Sequence, residues 1–360
     1  FYYLEFIYQL LNMKLKRNYN LPLDKFINLS LYDKKFGYYM KKKSFGKNGD
    51  FITAPNISIL FSEMVAIWIV SFWQSLGAPK KFNLIELGAG NGEMMKVLIS
   101  SFKNFPIFFS SCNLFIHEKS PTLIKIQKRK LTKTKISWIS KISEIKKNPC
   151  IFIANEFFDA IAIKQFKKKE NLWFEKFVNL NNPKKPFIFD RKINIKLIEK
   201  KINFRISKNQ NFIEYSELGL NYLKEISKII KKNNGGLLLI DYGSTGKQMK
   251  NTLKAISNHK FANIFSNIGK VDITHNINFN LFKNFINQMG GLRNHLTTQR
   301  NFLINMGIQQ RAEIISKNIN FLKKADIYYR MKRLIDEKQM GSLFKVMLVK
   351  NQKNKFRLGF

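Results

Sequence analysis

Phe82-Asn83-Leu84-Ile85-Glu86-Leu87-Gly88-Ala89-Gly90-Asn91-Gly92 is the stretch on which the reading of this sequence turns. Residues 82–87 are a short, mainly apolar run that predicts a buried strand, and residues 93–102 then recur with helical spacing. Three glycines at alternate positions stand between them. Gly88, Gly90 and Gly92 let the backbone turn sharply and let a ligand approach with no Cβ in the way, where doubly wound sheets bind nucleotides. The spacing is G-x-G-x-G, unlike the G-x-G-x-x-G of dinucleotide binders, and Glu86 stands two residues before the first glycine. A ligand carrying an amino-acid moiety and a nucleoside suits this better than a pyrophosphate, with the Glu86 carboxylate serving the ammonium end. A purely structural glycine turn is the bland alternative, and the strand–turn–helix context argues against it.

Outward from this segment the alternation continues. Strands are predicted over 113–117, 136–139 and 151–154, and a helix over 121–131, which together read as βαβ units on a parallel sheet. Glu118 ends the 113–117 strand, where an acid can accept hydrogen bonds from both ribose hydroxyls; an ordinary helix N-terminal charge is the alternative. After the 151–154 strand, Asn155, Glu156 and Asp159 set an amide and two carboxylates at another carboxyl strand end, with helix capping by Asn155 as the bland reading. Residues 163–215 turn aromatic and β-branched with a turn near 181–186, which predicts inserted antiparallel hairpins. A helix at 218–231, a Gly235-Gly236 stop and a strand at 237–242 resume the alternation. A helix over 280–289, two or three further helices and a closing strand over 343–349 follow. Upstream, 23–32 and 56–76 read as helices around a glycine-bearing loop at 36–55. The expected fold class is α/β: a doubly wound, Rossmann-like sheet in one catalytic domain over 56–349. It carries an N-terminal extension over 1–55, the insertion over about 163–215, a helical elaboration over about 280–340 and a tail over 350–360.

Composition narrows the function classes. The 360 residues are 45% hydrophobic, enough for a sizeable core. The net charge of +39 comes mainly from Lys spread along the chain beside abundant Ile, Asn and Phe, which fits a biased, solvated surface better than a nucleic-acid groove. Cys112 and Cys150 each open a predicted strand without ligand spacing, so buried free thiols are expected; four scattered histidines give no zinc pattern, and no metal is implied. No apolar run approaches the ~20 residues of a spanning helix, so a soluble protein is expected. The sequence starts at Phe1 and not at Met, so its lack of a targeting segment carries little weight.

Longer blocks carry a family likeness: LYDKKFGYYM, GDFITAPNIS, IELGAGNGEMM, ANEFFDAIAIKQF, LLLIDYG, VDITHNINF, TTQRNFLINMGI and RLIDEKQMGSLFKVM. With these, the chain resembles the MidA-like class I methyltransferases, a family that includes the mitochondrial arginine methyltransferase assisting complex I assembly. The resemblance implies S-adenosylmethionine as cofactor, bound by Glu86, Gly88, Gly90, Gly92 and Glu118. It implies an active site formed by Asn155, Glu156 and Asp159 and bordered by Asp50, Phe51, Thr53 and Pro55. Protein-arginine N-methylation is the implied activity, on a protein partner such as a complex I subunit, with a homodimer allowed. The implied location is the cytoplasm in a bacterium, which is preferred, or the mitochondrial matrix in a eukaryote. The chain departs from the family at Asn276, where His or Asp is expected; Asn278 stands where Asp or Asn is usual. A nucleic-acid methyltransferase and a non-catalytic assembly factor retaining the fold are the competing expectations.

Overall fold

The computed structural model describes residues 20–40, 53–145, 147–182, 185–257 and 260–360. These divide into two compact units. One is drawn from Phe1–Ser44, Asp159–Tyr222 and Thr245–Phe285, the other from Phe45–Phe158, Leu223–Ser244 and Ile286–Phe360.

The second unit holds the main sheet. Its strands are β1 (Phe82–Leu87), β2 (Cys112–His117), β3 (Ile136–Ile139), β4 (Cys150–Asn155), β5 (Gly235–Ser244), β6 (Leu292–Thr298) and β7 (Phe344–Asn351). They run in the order β6-β7-β5-β4-β1-β2-β3. The pairs β1/β2, β1/β4, β2/β3 and β4/β5 are parallel, and β7 is antiparallel to both β5 and β6. Every residue of β1 and β4 is buried, as a sheet covered on both faces requires. One face packs Leu84, Ile151, Ile153, Leu238 and Val346 against the helix Ile59–Ser75, where Trp68 and Phe72 stack with ring centroids 5.0 Å apart. The strand order reverses between β1 and β4, and a doubly wound sheet opens its ligand crevice at the carboxyl ends of the strands flanking such a switch point.

Several elements differ from the sequence reading. The helix expected over 56–76 is two helices, Ala54–Ile57 and Ile59–Ser75, parted by an extended Ser58 whose hydroxyl accepts from the Leu60 N–H. Gly235 and Gly236 do not stop a helix; both lie in β5. The helix Glu217–Asn233 ends beside Asn234, which takes the left-handed turn at φ 68°. The two glycines are there for room: a Cβ on Gly235 would lie 1.9 Å from the Cys150 carbonyl oxygen, and one on Gly236 2.6 Å from the Phe72 ring. The stretch expected to be helical over 280–340 contains β6, whose polar residues Arg293, Asn294, His295, Thr297 and Thr298 hide a strand that, among the described residues, pairs on one side only, with β7. Cys150 is buried as expected, whereas Cys112 is half-buried.

The first unit is antiparallel, as expected for the insertion. Leu172–Asn179 pairs with Lys164–Lys169, with Phe187–Ile193 and with Asn20–Pro22. A helix, Ile195–Ile202, interrupts the expected hairpins; Asn194 caps it by accepting from the Lys196 N–H. Leu23, Phe26 and Ile27 of the helix Leu23–Tyr32 pack with Ile163, Val178 and Ile273 in this unit's core.

Candidate active site

The glycine turn after β1 has the geometry its composition predicts. Gly88, Gly90 and Gly92 have φ of 67°, 52° and 76°, values that only glycine adopts freely. A Cβ on Gly88 would sit 2.8 Å from the Phe157 ring, so the turn also requires glycine for close packing. The Gly88 N–H donates to the His117 carbonyl at 2.9 Å, tying the turn to the end of β2. From Gly92 the chain enters the helix Glu93–Phe102, and the Asn91 side chain accepts from the Glu93 N–H.

Two carboxylates stand beside this turn. Glu86 lies in β1 and is 3% exposed, and its Oε2 is buried with no hydrogen-bond partner among the described residues. Burial, with the charge of Glu118 as a second cause, pushes its carboxyl up to about 8. A buried acid with an open acceptor is suited to a cationic ammonium. Glu118 follows β2; its Oε1 accepts from the Lys119 and Ser120 N–H groups, each at 2.9 Å. Burial raises its pKa while these bonds oppose the rise. Its Oε2 accepts from Gln127 Nε2 at 3.2 Å, and the same nitrogen donates to the Gly90 carbonyl at 2.8 Å.

The end of β4 adjoins the end of β1, since Leu87 and Ala154 are register partners. Beyond it Glu156 holds a left-handed conformation at φ 49°, which costs a side-chain-bearing residue about 1–3 kcal/mol. Its N–H donates to the Ile240 carbonyl at 2.9 Å. Its Oε1 accepts from the Ala54 N–H at 3.4 Å and from Asn155 Nδ2 at 3.3 Å. Asn155 Oδ1 is buried with no partner among the described residues. Asp241, inside β5 and fully buried, accepts from the Phe158 N–H at 3.1 Å and the Tyr242 N–H at 2.9 Å, so it fixes the backbone of the segment after β4.

Thus Glu86, the three glycines, Glu118, Asn155 and Glu156 belong to one unit and stand at adjoining strand ends. Thr53 and Pro55 flank Ala54, which bonds Glu156, and Thr53 Oγ1 accepts from Asn56 Nδ2, whose own Oδ1 accepts from Asn91. Asp50 and Phe51 lie outside the described residues. Asp159 belongs to the other unit, where its Oδ2 accepts from the Thr274 hydroxyl at 3.1 Å. Sequence reading missed Gln127, Asp241, Asn56 and Asn91. Asp241 carried a signal, an acid within the apolar run Leu237–Tyr242; so did Gln127, which stands four residues after Leu123 on the buried face of an otherwise basic helix.

A parallel sheet reversing at β1/β4, a glycine turn on β1 and an acid closing β2 define the nucleoside-binding class of doubly wound folds. The profile of the family described as "Putative S-adenosyl-L-methionine-dependent methyltransferase" matches residues 64–298, and the chain belongs to this family. It is a methyltransferase with S-adenosylmethionine as its methyl donor. The open acceptor on Glu86 and the turn that a Cβ would obstruct fit that cofactor. The chain is 27% identical to the Xenopus tropicalis "Protein arginine methyltransferase NDUFAF7, mitochondrial" over 93% of its own length and 84% of the relative's. It is 26% identical to the Homo sapiens protein of the same name over 86% and 75%. In fold it is similar to a Burkholderia thailandensis protein crystallised with S-adenosyl-homocysteine, at a TM-score of 0.77 and 20% identity, covering 94% of this chain and 90% of that one.

Proposed function

We propose that the methyl acceptor is an arginine nitrogen of a protein substrate, a respiratory complex I subunit being the substrate class to test first. The relatives' shared name, protein arginine methyltransferase, supports the acceptor. The observation that carries the reading is the strained, bonded Glu156 beside the glycine turn. Strain of this kind persists where surrounding bonds enforce it, and it collects at active sites.

S-adenosylmethionine supplies a methyl group on a positively charged sulfur. Glu86 would hold its ammonium and Glu118 its ribose hydroxyls, and the glycine turn would let it lie against the backbone. The Glu156 carboxylate holds the cationic guanidinium, and Asn155 Oδ1 accepts an N–H from it and so orients the reacting nitrogen. Transfer would break the donor's sulfonium–methyl bond, leaving neutral S-adenosyl-homocysteine, and form the nitrogen–methyl bond; the Glu156 carboxylate would receive the proton that the nitrogen gives up. Asp159 is the second carboxylate assigned from this block, and Asp50, Phe51, Thr53 and Pro55 are assigned to the border of the site. Among the described residues no helix is long and apolar enough to cross a membrane. The relatives are mitochondrial by name; a cytoplasmic place for this chain is our proposal.

Glu156→Gln tests the assignment. Turnover falls by about 10²–10⁴, the range for losing a positioned acid–base group, while the Kd for S-adenosyl-homocysteine stays within about 3-fold. Unchanged turnover removes Glu156 from the chemistry. For the acceptor, labelled S-adenosylmethionine is incubated with the chain and a cell extract, and the labelled product is identified by mass spectrometry. Methylarginine in a protein supports the proposal, and labelled RNA overturns it.

A further inference from the structure

The helix Pro121–Lys130 ends in Lys128, Arg129 and Lys130 and presents only Leu123 and Gln127 as buried residues. Gln127 is fully buried, and each of its polar atoms is engaged. Its Oε1 accepts from the Trp138 indole N–H at 2.9 Å. Its Nε2 donates to the Gly90 carbonyl at 2.8 Å and to Glu118 Oε2 at 3.2 Å. The amide orientation follows from chemistry: an indole N–H can only donate and a carbonyl can only accept, so the oxygen must face Trp138 and the nitrogen the glycine turn.

We infer that Gln127 is a positioning residue for the cofactor: it fixes the Glu118 carboxylate and the Gly90 carbonyl at one spacing, so that the ribose acid and the glycine turn act as a single preformed cradle. Three features support this. The one donor group bridges the two parts of the site that sequence reading assigned to one ligand but could not connect. The partners dictate the residue type, because the site requires one acceptor and two donor hydrogens on a neutral side chain; Glu lacks the donors, Lys lacks the acceptor and Asn is one methylene shorter. Gly92 packs beside it: a Cβ built there would meet Gln127 Cγ at 3.4 Å, an ordinary van der Waals contact, so the amide is seated against the glycine turn. A carboxylate whose second oxygen is held by a buried amide keeps its remaining lone pairs aimed at the ribose without reordering on binding, which is where preorganisation adds affinity.

The inference rests on the assignment of Glu118 to the ribose, and a double-mutant cycle separates the two claims. Binding of S-adenosyl-homocysteine to the full chain is measured by calorimetry for Gln127→Glu, Glu118→Gln and the pair, with the unfolding temperature of each recorded. Gln127→Glu is expected to weaken binding about 10- to 100-fold. In the Glu118→Gln background the same change costs less than it does alone, because the exchanged pair again sets an amide donor against a carboxylate; the share of the loss that comes from the Gly90 carbonyl, which loses its donor in both backgrounds, remains. Losses that simply add, or a Gln127→Glu chain that binds like the parent, overturn the inference. If Glu118→Gln alone leaves binding unchanged, the ribose assignment falls and the inference with it; if only that variant weakens binding, the assignment stands and the inference falls. Gln127→Met, an uncharged side chain of similar length, runs the same cycle should the buried carboxylate prevent folding. With Met the loss is again expected to shrink in the Glu118→Gln background, and a full loss in both backgrounds overturns the inference.

Discussion

The carboxyl ends of β1 and β4 are neighbours in one sheet and are built on opposite plans. After β1 the side chains are pared away: three glycines take the left-handed turns, and the polar groups around them are mostly paired, Glu118 with two backbone N–H groups and Gln127 with three partners. After β4 the side chains crowd in. The left-handed turn falls on Glu156, Phe157 and Phe158 pack edge to face at 5.2 Å, and Asn155 keeps a buried oxygen without a partner among the described residues. On the proposed assignment, one end lets a ligand lie against backbone and the other presents polar side chains to the reacting group. Binding and turnover should then be separable by mutation.

The largest expected effect is the loss of turnover already set out for Glu156→Gln, with binding spared. Its counterpart at β1 is Gly88→Ala. The added Cβ meets Phe157 at 2.8 Å and φ stays at 67°, so S-adenosyl-homocysteine affinity is expected to fall about 100-fold in calorimetry. Because the obstruction comes from a ring of the β4 end, Gly88→Ala with Phe157→Ala should recover part of that loss; no recovery would mean that the two ends do not share the constraint.

Asp241→Asn should act on stability ahead of binding. Turning the carboxylate into an amide weakens its bonds from the Phe158 and Tyr242 N–H groups and lowers the unfolding free energy by about 1–3 kcal/mol in a denaturant titration. The smallest effect is one of pH. In the folded chain Glu86 carries a carboxyl raised from 4.5 to about 8. Its protonated form is favoured by folding, so the stability it contributes is present below about pH 4.5 and is lost as pH rises toward 8. An ammonium ligand wants the ionised form, so affinity for S-adenosyl-homocysteine should rise about eight-fold between pH 7 and 8.5, and Glu86→Gln should flatten that rise.

Much of the parallel unit was legible because its signals are local. The strand Phe82–Leu87, the helix Glu93–Phe102 and the strand Ile136–Ile139 fall on the residues their periodicity predicts, and so does the helix Leu23–Tyr32 of the other unit. Where reading failed, a residue's meaning depended on something distant in sequence. Gly235 and Gly236 look like a helix stop until Cys150 and Phe72 press on them. The polar strand Leu292–Thr298 has no alternation strong enough to announce it and becomes a strand by pairing with β7. The candidate site divides in the same way: its glycines and the acids near the strand ends can be picked out along the sequence, whereas the contacts of Gln127 with Gly90 and of Asp241 with Phe158 span 37 and 83 residues.

By itself the sequence determined the alternation of strands and helices, the left-handed turns at Gly88, Gly90 and Gly92, and the acids Glu86 near the end of β1, Glu118 after β2 and Glu156 after β4. Backbone freedom and hydrophobic period are properties of a few consecutive residues. Only the tertiary structure decided the strand order that sets β1 beside β4, the division that counts Asn155 and Glu156 in one unit and Asp159 in the other, and the single amide that links Gly90 to Glu118. Those depend on which segments meet after the chain has folded, and a hydrogen bond needs its partner within about 3 Å in space, whatever the separation along the chain.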